Sequence, residues 1–311
     1  MKSVYSEHYA VNIGNHLWHT SKYALVLERL KADGLISEDD VIEAPMANDE
    51  DILRVHTLDY WQKLCDLNFS EEEVERMEIP IGQGVVNLFW RATGGTMRAS
   101  EQALKDGACV HLGGGFHHAF PGYGSGFCLI NDIAVSLRTL LDKGVIGSAA
   151  VIDCDLHQGD GTAWIFRDDP RVFTLSIHQR RAFPYFKQRS TVDVELENGT
   201  VDEEYHGALA SALETVFDRQ RRFDLVHYQA GADPYAGDIL GGLRLSAQGL
   251  LARDRLVLGA AMAAGSPVIV TLGGGYPADV ADVVLIHRNT VRAALEAVRC
   301  RGKVNCPTPD E

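Results

Sequence analysis

Cysteine is sparse, with six in 311 residues. They are scattered at Cys65, Cys109, Cys128, Cys154, Cys300 and Cys306 without a CxxC pair, so reduced thiols are expected. Positive charge is also short: 29 Lys and Arg face 43 Asp and Glu, a formal net charge of −14. Most of such a surface repels a phosphate backbone, so nucleic acid is not an expected partner, whereas a lysine-rich peptide or a polyamine suits the field. No stretch sustains the roughly 20 apolar residues that a membrane span needs. The N-terminal MKSVYSEHYAVNIGNHLWH holds no apolar segment of signal-peptide length, so a soluble, cytoplasmic protein is expected. There is no solenoid-period repeat, low-complexity tract or Pro/Ser-rich linker. One domain over residues 1–311 is the simplest reading, with 299–311 a frayed polar tail.

What is present is core-forming material. Hydrophobic residues make up 46% and charged residues 23%, a balance that excludes wholesale disorder and supports a large buried interior. Short apolar, β-rich runs recur at Ala108 to Leu112, Ala149 to Cys154, Val172 to Ile177, Leu225 to Gln229 and Val268 to Leu272. Helical periodicity fills Ser21 to Ala32, Val86 to Lys105, Asp132 to Asp142, Asp202 to Arg219, Ala247 to Ala264 and Pro277 to Val298. Strand, loop and helix in alternation predict an α/β fold in which a parallel sheet is sandwiched between helices. In open sheets of that kind ligands gather at the carboxyl ends of the strands.

Four of these strand ends carry reactive side chains. The first runs into Gly113-Gly114-Gly115-Phe116-His117-His118, which presents two imidazoles on a pliable backbone; without GxGxxG or GK[ST] spacing it is not a nucleotide loop. The second runs into Asp153-Cys154-Asp155-Leu156-His157-Gln158-Gly159-Asp160. Residues two apart in an extended chain point the same way, so Asp153, Asp155 and His157 are expected on one face. A carboxylate and an imidazole projected together form half of a metal site. The fourth run ends at Asp233, a turn residue or a third ligand, which would leave positions open to water and substrate. The fifth ends at Gly273-Gly274-Gly275-Tyr276, where Tyr276 is either a core aromatic or a donor facing a substrate carbonyl.

Read in order, GGGFHHA, DCDLHQGDG, GADPYAGD and GGGY, with VHTLDYW and GSGFCLIND between the helices, resemble the zinc-dependent histone deacetylase and acetylpolyamine amidohydrolase superfamily. Its fold is related to arginase. The resemblance runs from about His16 to about Tyr276, and GGGFHH, the Gln after His157 and GDILGGLRLS look most like the class IV branch. It implies Zn2+ held by Asp155, His157 and Asp233, although two carboxylates and one imidazole suit Fe2+ as well. It further implies catalytic imidazoles at His117 and His118 backed by Asp153 and Asp160, a carbonyl-facing Tyr276, and a substrate channel at Gly126 and Phe127. A structural K+ is implied near Asp153, Asp155, His157, Ser176 and Ile177.

The implied enzyme is a deacylase that hydrolyses the linear amide of an ε-acyl-lysine, acetyl or longer, with acetylpolyamines and other small acyl-amines as alternative substrates. Lys22 stands where many relatives carry Arg below the site. The loop HQRRAFPYFKQRS offers Phe183 or Tyr185 as a channel wall. An arginase-like two-manganese site is disfavoured because Gly159 replaces the last acid of a DxHxD run. A noncatalytic acyl-lysine binder is disfavoured because every ligand, both histidines and Tyr276 are present.

Overall fold

The computed structural model describes residues 1–300, apart from the side chain of Gln220. The remainder of the expected frayed tail, including Cys306, lies outside the described residues. Eight strands form one wholly parallel sheet: β1 (Lys2–Tyr5), β2 (Val41–Glu43), β3 (Ala108–His111), β4 (Ala149–Asp153), β5 (Val172–Gln179), β6 (Val192–Leu196), β7 (Leu225–Gln229) and β8 (Val268–Thr271). Their order is β2-β1-β3-β8-β7-β4-β5-β6. The helices are α1 (Lys22–Ala32), α2 (Asp49–Ile52), α3 (Leu58–Asp66), α4 (Glu71–Met77), α5 (Gln83–Asp106), α6 (Asp132–Asp142), α7 (Asp160–Phe166), α8 (Asp202–Val216), α9 (Ala247–Ala263) and α10 (Val280–Cys300).

Alternation along the strands divides the core in two. Val110, Ile152, Val226, Val268 and Val270 point to one face, where they pack with α1, α8, α9 and α10. Cys109, Val151, Leu225 and Ile269 point to the other, against α5 and α6. These side chains are all but inaccessible, and burying each aliphatic one contributes about 1.5–3 kcal/mol. Crossovers that move toward β6, through α5, α6 and α7, cover the second face; those that move toward β2, through α1, α8 and α9, cover the first. A right-handed crossover connection demands that split.

The five expected strands are all present, and β1, β2 and β6 are additional. Two of these three are the sheet edges, and β6 alternates half-buried and exposed residues up to the buried Leu196, so neither edge displays the apolar run of a central strand. The short helices α2, α3, α4 and α7 are likewise additional. Among the cysteines, Cys65, Cys109, Cys128 and Cys154 are free, but Cys300 is disulfide-bonded, which corrects the expectation of reduced thiols throughout.

Candidate active site

The strands that end in reactive sequence, β3, β8, β7 and β4, are four consecutive neighbours at the middle of the sheet. Their carboxyl ends therefore converge on one place. β4 ends at Asp153 and the chain then curls: Asp155 N–H donates to Asp153 Oδ1 at 3.1 Å and His157 N–H to Asp155 Oδ1 at 3.0 Å. The single extended face expected for Asp153, Asp155 and His157 is thereby broken, because each carboxylate captures the amide two residues on. Asp153 turns to His117, while Asp155 and His157 turn to Asp233.

Asp155, His157 and Asp233 are buried and offer ligand atoms within 4.8 Å of one another. Asp155 Oδ2 accepts from Gly274 N–H at 2.9 Å and Asp233 Oδ1 from Leu156 N–H at 2.9 Å. A Cβ at Gly274 would lie 2.4 Å from Asp233 Oδ2, so only glycine lets that amide come so near. His157 Nδ1 sits 3.3 Å from Asp155 Oδ1 and 3.1 Å from Asp233 Oδ2. Burial alone would lower its pKa, yet hydrogen bonds and charge from the two aspartates raise it to about 10. Burial and the charge of Asp155 push Asp233 upward. Two desolvated carboxylates thus share one site and draw positive charge to themselves. That donor set fits a divalent cation with open positions facing a cleft.

His117 and His118 lie beside this cluster with ring centroids 4.0 Å apart. His117 Nδ1 pairs with Asp153 Oδ2 and His118 Nδ1 with Asp160 Oδ1, each at 2.7 Å, which leaves both Nε2 atoms toward the cleft. Burial opposes charge on His117, but Asp153 and Asp155 overcome it and raise its pKa to about 9. Burial and the charge of His117 lower His118 to about 4 against the pull of Asp160. The loop that carries both is pinned by Asp132, which accepts Gly115 N–H at 2.9 Å and Phe116 N–H at 2.7 Å.

The cleft encloses about 650 Å³ and includes all of His117, His118, Asp155, His157 and Tyr276 in its lining. Gly126 and Phe127 line it, with φ of 49° and 65°. Phe183 stands edge-on to His118 at 5.0 Å, whereas Tyr185 is 86% exposed at the outer mouth; Phe183 is therefore the inner wall. Tyr276 faces Phe127 at 5.6 Å, and burial, then Asp155 and Asp233, hold its phenol well above the usual range. Lys22 is buried beneath it, donating to Gly273 O at 2.9 Å. Burial lowers its pKa to about 8 although Asp233, Asp155 and Asp238 oppose the shift. Ser176 pairs with Asp153 across β4 and β5, and Ile177 follows it.

Three positioning residues escaped the sequence reading. Asp238 accepts Tyr276 N–H at 2.6 Å. Gln158 donates to Gln188 O and accepts Gln188 N–H, both at 2.7 Å, tying the metal-site loop to the Phe183 loop. Arg253, fully buried, donates to Cys154 O at 3.2 Å and Gly231 O at 2.5 Å, bracing the exits of β4 and β7. Each acts through backbone atoms, which leave no signature; Gln158 and the GDILGGLRLS run containing Asp238 stand out in the sequence only through the resemblance, without these roles.

The histone deacetylase domain family matches residues 16–290. An uncharacterised protein of Picosynechococcus is 41% identical over 279 residues, covering 90% of this chain and 93% of its own. Histone deacetylase 2 of Arabidopsis thaliana is 31% identical, covering 90% and 76%. The crystal structure of a histone deacetylase homologue from Aquifex aeolicus superposes with a TM-score of 0.81 at 26% identity, over 98% of this chain and 91% of the other. A homologue complexed with SAHA gives 0.81 at 27% identity, over 96% and 88%.

Proposed function

We propose that this chain, which belongs to the histone deacetylase family, is a zinc-dependent deacylase of the class IV type that hydrolyses the amide of an ε-acyl-lysine. The observation that carries the reading is one cleft joining the Asp155, His157 and Asp233 cluster to two carboxylate-backed imidazoles and a phenol. A divalent ion held by those three ligands would supply Lewis acidity that polarises an amide carbonyl and acidifies water.

The remaining work falls to the side chains. His118, neutral and with Nδ1–H on Asp160, presents an Nε2 lone pair that takes the proton from the attacking water. His117, charged between Asp153 and Asp155, stabilises the negative charge that develops and returns a proton to the departing amine nitrogen. Tyr276, kept protonated, donates its O–H to the carbonyl oxygen as it becomes an oxyanion. Phe127 and Phe183 wall the entry against water and suit the methylene stem of a lysine. Zinc rather than iron(II), and a structural potassium ion at the backbone around Asp153, Asp155, His157, Ser176 and Ile177, complete the proposal.

Glu78 at the mouth of the cleft and the chain's negative charge favour a second substrate class of the same chemistry, an acetylated polyamine. Turnover of a panel of ε-acyl-lysine peptides, acetyl through myristoyl, beside acetylated polyamines separates them. Faster hydrolysis of a lysine peptide, lost in His118→Ala, supports the proposal; faster polyamine hydrolysis replaces it with the second class.

A further inference from the structure

A second cleft, of about 950 Å³, opens at the amino ends of β4, β5, β6 and β7, across the sheet from the active site. Its floor is aromatic, with Phe173 and Phe223 6.1 Å apart. Five arginines line it: Arg167, Arg171, Arg189, Arg221 and Arg222. In a chain with a net charge of −14 this is a local reversal of sign.

The carboxylates that also line this cleft are already engaged. Asp169 receives Arg171 at 2.9 and 2.7 Å and Arg138 at 2.6 Å, and Asp168 pairs with Arg167 at 3.0 Å. The hydrogen bonds from Arg171 lower Asp169 to about 2. Arg189, Arg221 and Arg222 are exposed and have no ion pair among the described residues. Several arginines elsewhere on the surface are paired, Arg54 with Asp51, Arg76 with Glu72, Arg180 with Glu195 and Arg288 with Asp33. Arg181, Arg244 and Arg299 are exposed without an ion pair among the described residues, but they are scattered and do not share a cleft with one another. Arg221 lies over the Phe173 ring at 5.4 Å, which orients its guanidinium along the cleft wall.

We infer that this cleft binds a small, multiply charged phosphate compound, with Arg189, Arg221 and Arg222 as its ligands. Three reasons converge. The guanidinium fork matches phosphate oxygens in pairs. Three unneutralised guanidiniums set apart from the cleft's own carboxylates form a site for two or more negative charges. The volume lies within the range of small-molecule sites. The shared chemistry is the phosphate chain, which a nucleoside triphosphate and an inorganic polyphosphate both carry.

Isothermal titration of the metal-loaded protein with tripolyphosphate and with ATP tests this at low salt. Saturable binding of both at similar affinity supports a site for the phosphate chain alone; tighter ATP supports one that also reads the nucleoside. In either case Arg222→Glu should weaken binding at least tenfold, and Arg221→Glu with Arg222→Glu should abolish it, with deacylation of an acyl-lysine peptide unchanged. Affinity should fall as salt rises. No saturable binding of either compound at 1 mM overturns the inference. So does binding that survives the double substitution, or binding lost in Asp233→Asn, which would place the phosphate at the metal centre.

Discussion

Acid should unfold this protein through histidines buried in the neutral form. His56, His111 and His227 are almost wholly inaccessible, and each has a hydrogen-bond pattern with room for one proton. His56 Nε2 accepts Asn131 N–H at 3.1 Å. Thr96 gives its hydroxyl proton to Asp132, so it accepts from His111 Nδ1, and Tyr9 O–H donates to His111 Nε2 at 2.7 Å. Thr271 donates to Gln229 and so accepts from His227 Nε2, leaving His227 Nδ1 without a partner. Burial lowers the three pKa values to about 4, about 3 and about 3. The unfolded chain titrates near 6.5 and takes up the protons, so stability is full above that value and declines as pH falls toward the folded values. At pH 5 the gap of about 1.5 units below 6.5, at about 1.36 kcal/mol per unit, costs about 2 kcal/mol per histidine. Three cost about 6 kcal/mol, comparable to the whole stability of many domains. Urea unfolding followed by far-UV circular dichroism at pH 7.5 and 5 reads the loss. His56→Gln keeps an acceptor for Asn131 N–H and should recover about 2 kcal/mol of the difference, while metal-site titration cancels between the two proteins. An identical pH dependence in wild type and variant would refute the reasoning.

Removing the Tyr276 hydroxyl in Tyr276→Phe should lower kcat about 100-fold to 1000-fold with little change in Tm, measured by peptide deacylation and thermal unfolding. Gly126→Ala should cripple activity, because a Cβ there lies 2.7 Å from Phe183 and 2.9 Å from His118 at a φ of 49°; KM and kcat for the acyl-lysine peptide register the narrowed channel. Arg253→Ala leaves Asp254 buried without its cation and should cost about 3–5 kcal/mol by denaturant titration. Zinc at about 100 times its Kd should add about 2.7 kcal/mol of stability to the wild type, read as a rise in Tm that Asp233→Asn does not show.

The central strands were legible because burial on both faces leaves apolar runs such as Ala149 to Cys154 and Val268 to Leu272 with loops of reactive residues directly behind them. The edges were not: Val192 to Leu196 alternates because one side meets solvent. At the site, Asp155, His157 and Asp233 announce themselves by residue type at a strand end, and the pairing of His117 with Asp153 and of His118 with Asp160 followed from the resemblance. The chain reversal after Asp153 was not legible, since Asp153 and Asp155 each cap a backbone amide and turn what reads as extended strand into successive turns. Nor was the clasp of Tyr276 by Asp238 or of Gln188 by Gln158, where side chain meets main chain over 30 residues or more.

The most direct test of the account is a zinc titration of metal-free protein, with hydrolysis of an ε-acetyl-lysine peptide and of its longer acyl counterparts followed at each addition. Amide hydrolysis should rise linearly to one equivalent per chain and then level off, with Tyr276→Phe binding the same equivalent but turning over at about a hundredth of the rate or less. A full equivalent of bound zinc with no hydrolysis of any acyl-lysine peptide would contradict it.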